Sequence, residues 1–112
     1  MELQEHYERV RALACRMECK RDRLAVLAIG YTANKDTGIT SGYTLTALQT
    51  LSRRRKDQGI SRANLKRAMV DLQKANVLKV TRHVNRTSGK RECNSYKLNF
   101  DWPETLKDIT EI

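Results

Sequence analysis

The side chains best equipped for specific hydrogen bonding fall in one short run, Ser61-Arg62-Ala63-Asn64-Leu65-Lys66-Arg67. A guanidinium is a planar fork of donors and a carboxamide sets a donor beside an acceptor. These groups pair bidentately with the edges of guanine and adenine respectively. Asn64 is thus a candidate for adenine and Arg62 or Arg67 for guanine, with Lys66 between them and free backbone amides after Ser61 suited to a phosphate. Two further basic groups flank this run. Arg53, Arg54, Arg55 and Lys56 precede it, and Arg82, Arg86, Lys90 and Arg91 follow it, with His83 beside Arg82. Such cations neutralise backbone phosphates, adding affinity and salt dependence but little choice of base. The bland alternative is a solvated charged face.

Other chemistry has little to work with. The sequence has five glycines and two histidines, and it lacks a phosphate-cradling glycine loop, paired carboxylates or a nucleophile beside a base. Neither enzymatic activity nor a small-molecule substrate is expected. Cys15 and Cys19 lie four apart with His6 nearby, a spacing that can bring two or three metal ligands to one helical face. No fourth ligand has suitable spacing, and the three cysteines form no paired C-x-x-C motifs, so free thiols, no metal and no cofactor are expected. Asn85-Arg86-Thr87 has the glycosylation pattern, yet without a secretion signal it reads as a turn.

The charge is unevenly distributed. Of the net +9, residues 1–19 carry −1, residues 20–100 carry +13 and residues 101–112 carry −3. A basic block of that density is the electrostatic footprint of a polyanion partner, nucleic acid first, because each cation placed on a phosphate releases condensed counterions. No stretch approaches the roughly 20 apolar residues of a membrane span, and the first residues lack a signal-like apolar core. A cytoplasmic, nucleoid-associated location without membrane contact is expected.

The elements that must position these residues follow from periodicity. Leu3, Tyr7, Val10, Ala14 and Met17 give an amphipathic helix over residues 2–18, whose stripe packs on the body or pairs with a second copy. A second helix runs from Asp22 to Thr32 through Leu24, Leu27, Ala28 and Tyr31, and Asn34, Lys35, Asp36 and Gly38 break it. Thr44 caps a third helix with Leu45, Leu48 and Leu51 on its face, and Gly59 stops it. Ser61 caps a fourth, with Ile60 and Leu65 spaced as a hydrophobic staple and Leu65, Met69 and Leu72 as the core face. Asn76 ends that helix. Val77–Val84 then reads as a strand, residues 85–91 as a polar basic turn, and Tyr96, Leu98 and Phe100 as a returning strand that Trp102 and Pro103 end.

Three helices followed by a hairpin with a basic tip resemble the winged helix-turn-helix family, and in particular the helix-turn-helix domain at the start of phage and plasmid replication proteins and related regulators. The resemblance covers residues 20–100. Leu24–Tyr31 and Asn34–Gly38 match its Leu- and Ala-rich helix and Gly-containing loop. Ile60, Ser61, Arg62, Leu65, Leu72 and Asn76 match its long helix, and Asn94, Tyr96 and Leu98 its Asn-x-Tyr-x-Leu strand. Residues 53–58 lengthen the tight turn of the pattern.

The resemblance implies an α+β, mainly α fold, a winged helix-turn-helix with a three-helix core plus a β-hairpin wing, to which the periodicity of residues 2–18 adds an extra N-terminal helix outside the pattern. Residues 1–19 would form that helix, 20–100 the DNA-binding domain and 101–112 an acidic tail. It also implies a double-stranded DNA-binding protein, sequence-specific, acting in transcription regulation or in replication initiation or maintenance of a phage or plasmid. The fourth helix would enter the major groove, and the wing would follow a phosphate track or a narrow minor groove. A homodimer through residues 1–18 would call for half-sites about one helical turn apart. The competing readings are a winged-helix protein-interaction adaptor and, last, a single-stranded DNA or RNA binder, which would need exposed stacking aromatics.

Overall fold

The computed structural model describes residues 2–53, 59–82 and 94–103. Among them the chain forms α1 (Leu3–Cys15), α2 (Lys20–Thr32), β1 (Ile39–Thr40), α3 (Leu45–Arg53), α4 (Arg62–Lys74), β2 (Leu78–Thr81) and β3 (Ser95–Leu98). Four helices and a small antiparallel sheet make a mainly helical α+β fold. The strands are ordered β1-β3-β2, with β3 central. Leu78 opposes Leu98 and Val80 opposes Tyr96 across β2 and β3. With a side-chain period of two, these residues share one sheet face and the Lys79–Lys97 pair takes the other.

Helix α2 is the centre of the core. Its Ala25, Val26 and Ile29 are fully buried, and they belong to one cluster with Leu13 of α1, Leu48 of α3, Leu65, Ala68 and Leu72 of α4, and Leu78, Tyr96 and Leu98 of the sheet. The carbonyls at the end of a helix have no partner within it. Here Thr40 Oγ1 donates to Ile29 O at 2.8 Å, Thr32 Oγ1 donates to the same oxygen at 2.9 Å, and His6 Nε2 lies 2.8 Å from Gly30 O. A carbonyl only accepts, so His6 Nε2 is the donor in this contact.

Several local expectations hold. Thr44 Oγ1 accepts from Ala47 N at 3.0 Å, which caps α3. Asn34 Oδ1 accepts from the Asp36 and Thr37 amides, and Gly38 adopts φ +72°, so the predicted break turns the chain into β1. Asn76 adopts φ 63°, with Val77 N bonded to Leu72 O at 2.9 Å and Asn76 N to Gln73 O at 3.2 Å. That is the complete two-bond Schellman ending of α4.

Others need correction. The first helix stops at Cys15 rather than residue 18: Arg16 N and Met17 N bond three residues back, to Leu13 O and Ala14 O, and tighten the last turn out of α geometry. Cys19 is extended and precedes α2, so Cys15 and Cys19 do not share a helical face. Helix α2 begins at Lys20, two residues before Asp22, which sits in its first turn. Strand β2 spans only Leu78–Thr81, and Val84 lies outside the described residues. Phe100 is not in the returning strand; it lies in a turn, edge-on to His6 and under the Arg9 guanidinium, 4.5 Å from the ring centre. Strand β1 was not expected at all.

The stripe of α1 packs on its own chain. Val10 and Leu13 are fully buried, Ala14 and Met17 nearly so, and Tyr7 meets Tyr31 edge-on at 5.2 Å. Leu3 alone of the stripe remains half-exposed.

Candidate nucleic-acid interface

The geometry of α4 begins with its cap. Ser61 is extended and its Oγ accepts from Asn64 N at 3.2 Å, which fixes where the first turn starts. Ile60 and Leu65 on either side of that cap are both buried. Ile60 N also donates to Ser52 Oγ at 3.4 Å, tying the start of α4 to the last turn of α3. Because Leu65, Ala68, Met69 and Leu72 hold one side of α4 in the core, the helical period forces the remaining positions outward.

Arg62, Ala63, Asn64, Lys66 and Arg67 are all exposed, as is Ser61 before them. The face continues beyond the residues singled out from sequence, through Val70, Gln73 and Lys74. Ala63, Val70 and Lys74 run along its middle, opposite the core stripe, with Lys66 on one side and Arg67 on the other. Asn64 falls on the flank, in line with Asp71 seven positions later. The helix carries four cations and one acid. That acid, Asp71, is ion-paired with Arg21 of α2, which also bonds Asp22 at 3.2 Å. Partial desolvation pulls the Arg21 guanidinium down, and its hydrogen bonds to Asp22 and Asp71 outweigh this and hold it above its ordinary value. Arg21 thus offsets one of the two carboxylates it bonds and holds Asp71 on the flank of α4 that faces α2.

Of the cations preceding α4, Arg53 closes α3 and is exposed, while Arg54, Arg55 and Lys56 lie outside the described residues. Of the hairpin group, Arg82 is exposed just beyond β2, while His83, Arg86, Lys90 and Arg91 lie outside them. Arg82 nevertheless meets α4 in one concavity. A groove of about 360 Å³ runs between the helix and the β2–β3 pair, lined by Lys66, Met69, Val70, Gln73, Val80, Arg82, Asn94 and Tyr96. Asn94 Oδ1 is buried there and has no hydrogen-bond partner among the described residues.

The groove residues Val70 and Gln73 were missed in the sequence, and Asn94 was matched there only as part of the Asn-x-Tyr-x-Leu pattern of the returning strand. The first two carried a signal, since both fall off the 65-68-69-72 core stripe. Nothing local marks Asn94 as part of the groove, which it lines together with Lys66, Met69, Val70 and Gln73 of α4. A second hollow of about 300 Å³ lies between α1 and the turn before β1, with Arg9, Lys35 and Lys97 facing Asp36 and Asp101. Its mixed charge contrasts with the α4 face.

Cys15 and Cys19 are exposed free thiols, and His6 is buried against Gly30. Among the described residues no three His, Cys, Asp or Glu side chains converge as metal ligands, and no helix is long and apolar enough to cross a membrane. No family model, curated protein or solved structure matches the chain.

Proposed function

We propose that this chain is a winged-helix protein that binds double-stranded DNA and selects its site through α4. It would act in transcription regulation or in replication initiation or maintenance of a phage or plasmid, in the cytoplasm where that DNA lies. The observation that carries the reading is the outer face of α4: Lys66, Arg67 and Lys74 exposed on it and Arg62 exposed in the first turn, the lone acid paired with α2 and the opposite face locked into the core. A rigid cationic helix of this kind fits the major groove, where guanidinium and amide groups discriminate bases.

The order α2-β1-α3-α4-β2-β3 and the sheet order β1-β3-β2 support a winged-helix reading, in which the β2–β3 connection is the wing. Arg82 at the base of that connection, and Arg53 at the end of α3, would hold phosphates on either side of α4. The chain needs no cofactor for this activity.

The test is a titration against a random-sequence duplex pool at two salt concentrations, beside a variant with Arg62, Asn64 and Arg67 all changed to alanine. These positions are exposed, so the variant should fold as the parent does. One duplex sequence should be enriched by the parent and lost by the variant, which keeps weak, salt-sensitive binding. Absence of duplex binding even at low salt would refute the reading and turn attention to an acidic protein partner.

A further inference from the structure

Val70 is 49 % exposed, as solvent-open as Leu3 at the far end of α1, yet it sits in the middle of the most cationic helix face of the described residues. Lys66 and Arg67 lie one turn before it and Gln73 and Lys74 one turn after it. Neither core packing nor helix propensity calls for a valine there. β-Branched residues are poor helix formers, and an apolar group ringed by hydrated cations gains nothing from solvent. The core stripe passes on the other side of the helix.

On the reading of α4 as the helix that enters the major groove, only one apolar group awaits Val70. The edges of guanine, cytosine and adenine present hydrogen-bonding atoms, and thymine alone adds a methyl group at C5. We infer that Val70 is a specificity-determining residue that packs on a thymine methyl, while the cations around it take phosphates and base acceptors. The valine also lines the groove that Lys66 and Arg82 share, so the strand carrying that thymine would run along the α4 side of the groove. Among the proposed contacts this one selects by apolar packing.

The experiment is a thermodynamic cycle on the duplex enriched from a random pool. Each thymine is replaced in turn by deoxyuridine, which lacks only the methyl, and binding is measured for the parent and for Val70→Ala. Alanine is the better helix former at this exposed position, so the variant keeps its fold. At one thymine the parent should lose about fourfold in affinity, the worth of one buried methyl group. Val70→Ala should bind the thymine duplex more weakly and show no further loss with deoxyuridine. Tight, sequence-selective binding by the parent without a sensitive thymine, or with the same loss in Val70→Ala, overturns the assignment and leaves the DNA reading intact. Failure of the parent to bind any duplex overturns both.

Discussion

Gly30 is where α1 presses on α2. Its φ is not in the left-handed region, so it is glycine for space and not for conformation. A Cβ built there would lie 2.4 Å from Val10 Cγ1 and 2.7 Å from Cγ2. Two effects compete in Gly30→Ala. Helix propensity favours alanine by about 1 kcal/mol, and overpacking a closed core costs about 1–3 kcal/mol. Contacts this short, on both methyls of a fully buried side chain, put the cost at the upper end. Gly30→Ala should therefore lower stability by about 2 kcal/mol net, read as a lower urea midpoint with an unchanged slope. In a Val10→Ala background the same change should become neutral or stabilising, because the clashing methyls are gone. A Gly30→Ala protein as stable as the parent would show that the two helices are not this close. None of this was legible in the sequence. His6 stood out there for its metal-binding chemistry, whereas its ring closes the end of α2, and no pattern within either helix marks a contact between residues 24 positions apart. Caps are different: Ser61, Thr44 and Asn76 act on amides and carbonyls within a few residues, and their roles could be read from neighbours alone.

Helix α1 lies outside the family resemblance, yet its inner face belongs to the same core cluster as α2, α3, α4 and the sheet. Leu13→Ala separates an accessory helix from an integral one. Leu13 is fully buried, so the lost transfer energy and the cavity left behind should cost about 2–5 kcal/mol, as a leucine in a core does, and unfolding should remain a single cooperative transition. An unchanged denaturation midpoint would mean that α1 docks only marginally. The helices were legible because each shows several turns of apolar periodicity. Strand β1 was not, since Ile39–Thr40 is two residues long and two residues have no period. It exists because the Asn34–Gly38 turn delivers it beside β3, where Ile39 pairs with Lys97 and Thr40 with Tyr96. The α4 face was legible in its first two turns, where arginine, lysine and asparagine announce themselves. Val70 carries no such polar signature, and its place outside the core follows only from tracing the stripe of Leu65, Ala68, Met69 and Leu72 to its end.

At the scale of the whole molecule the charge changes sign along the chain. Residues 20–100 carry +13, and the chain turns acidic from Asp101 onward. That turn is anchored at the far end of α4: Trp102 Nε1 donates to Ala75 O at 2.9 Å, and Arg16 holds Phe100 O and Trp102 O at 3.0 and 2.7 Å. The thirteen residues of α4 separate this end from Ser61 by about 20 Å. A duplex approaching the helix would thus meet cations at its N-terminal end and along its face, with Asp101 near the opposite end. Two arginines at different places in this field should then answer differently to removal. Arg67 lies on the helix face, so Arg67→Ala should cost about 1–3 kcal/mol and relax the preference at one base pair. Arg82 lies at the base of the hairpin, so Arg82→Ala should weaken binding to every duplex alike and reduce the slope of log affinity against log salt by about one. Titrations of both variants on the selected duplex, its single-base variants and an unrelated duplex across a salt series separate the two signatures. If Arg82→Ala altered the preferred sequence without changing the salt slope, the division between a reading helix and a backbone-holding hairpin would be wrong, and base selection would have to be assigned to the hairpin side of the groove.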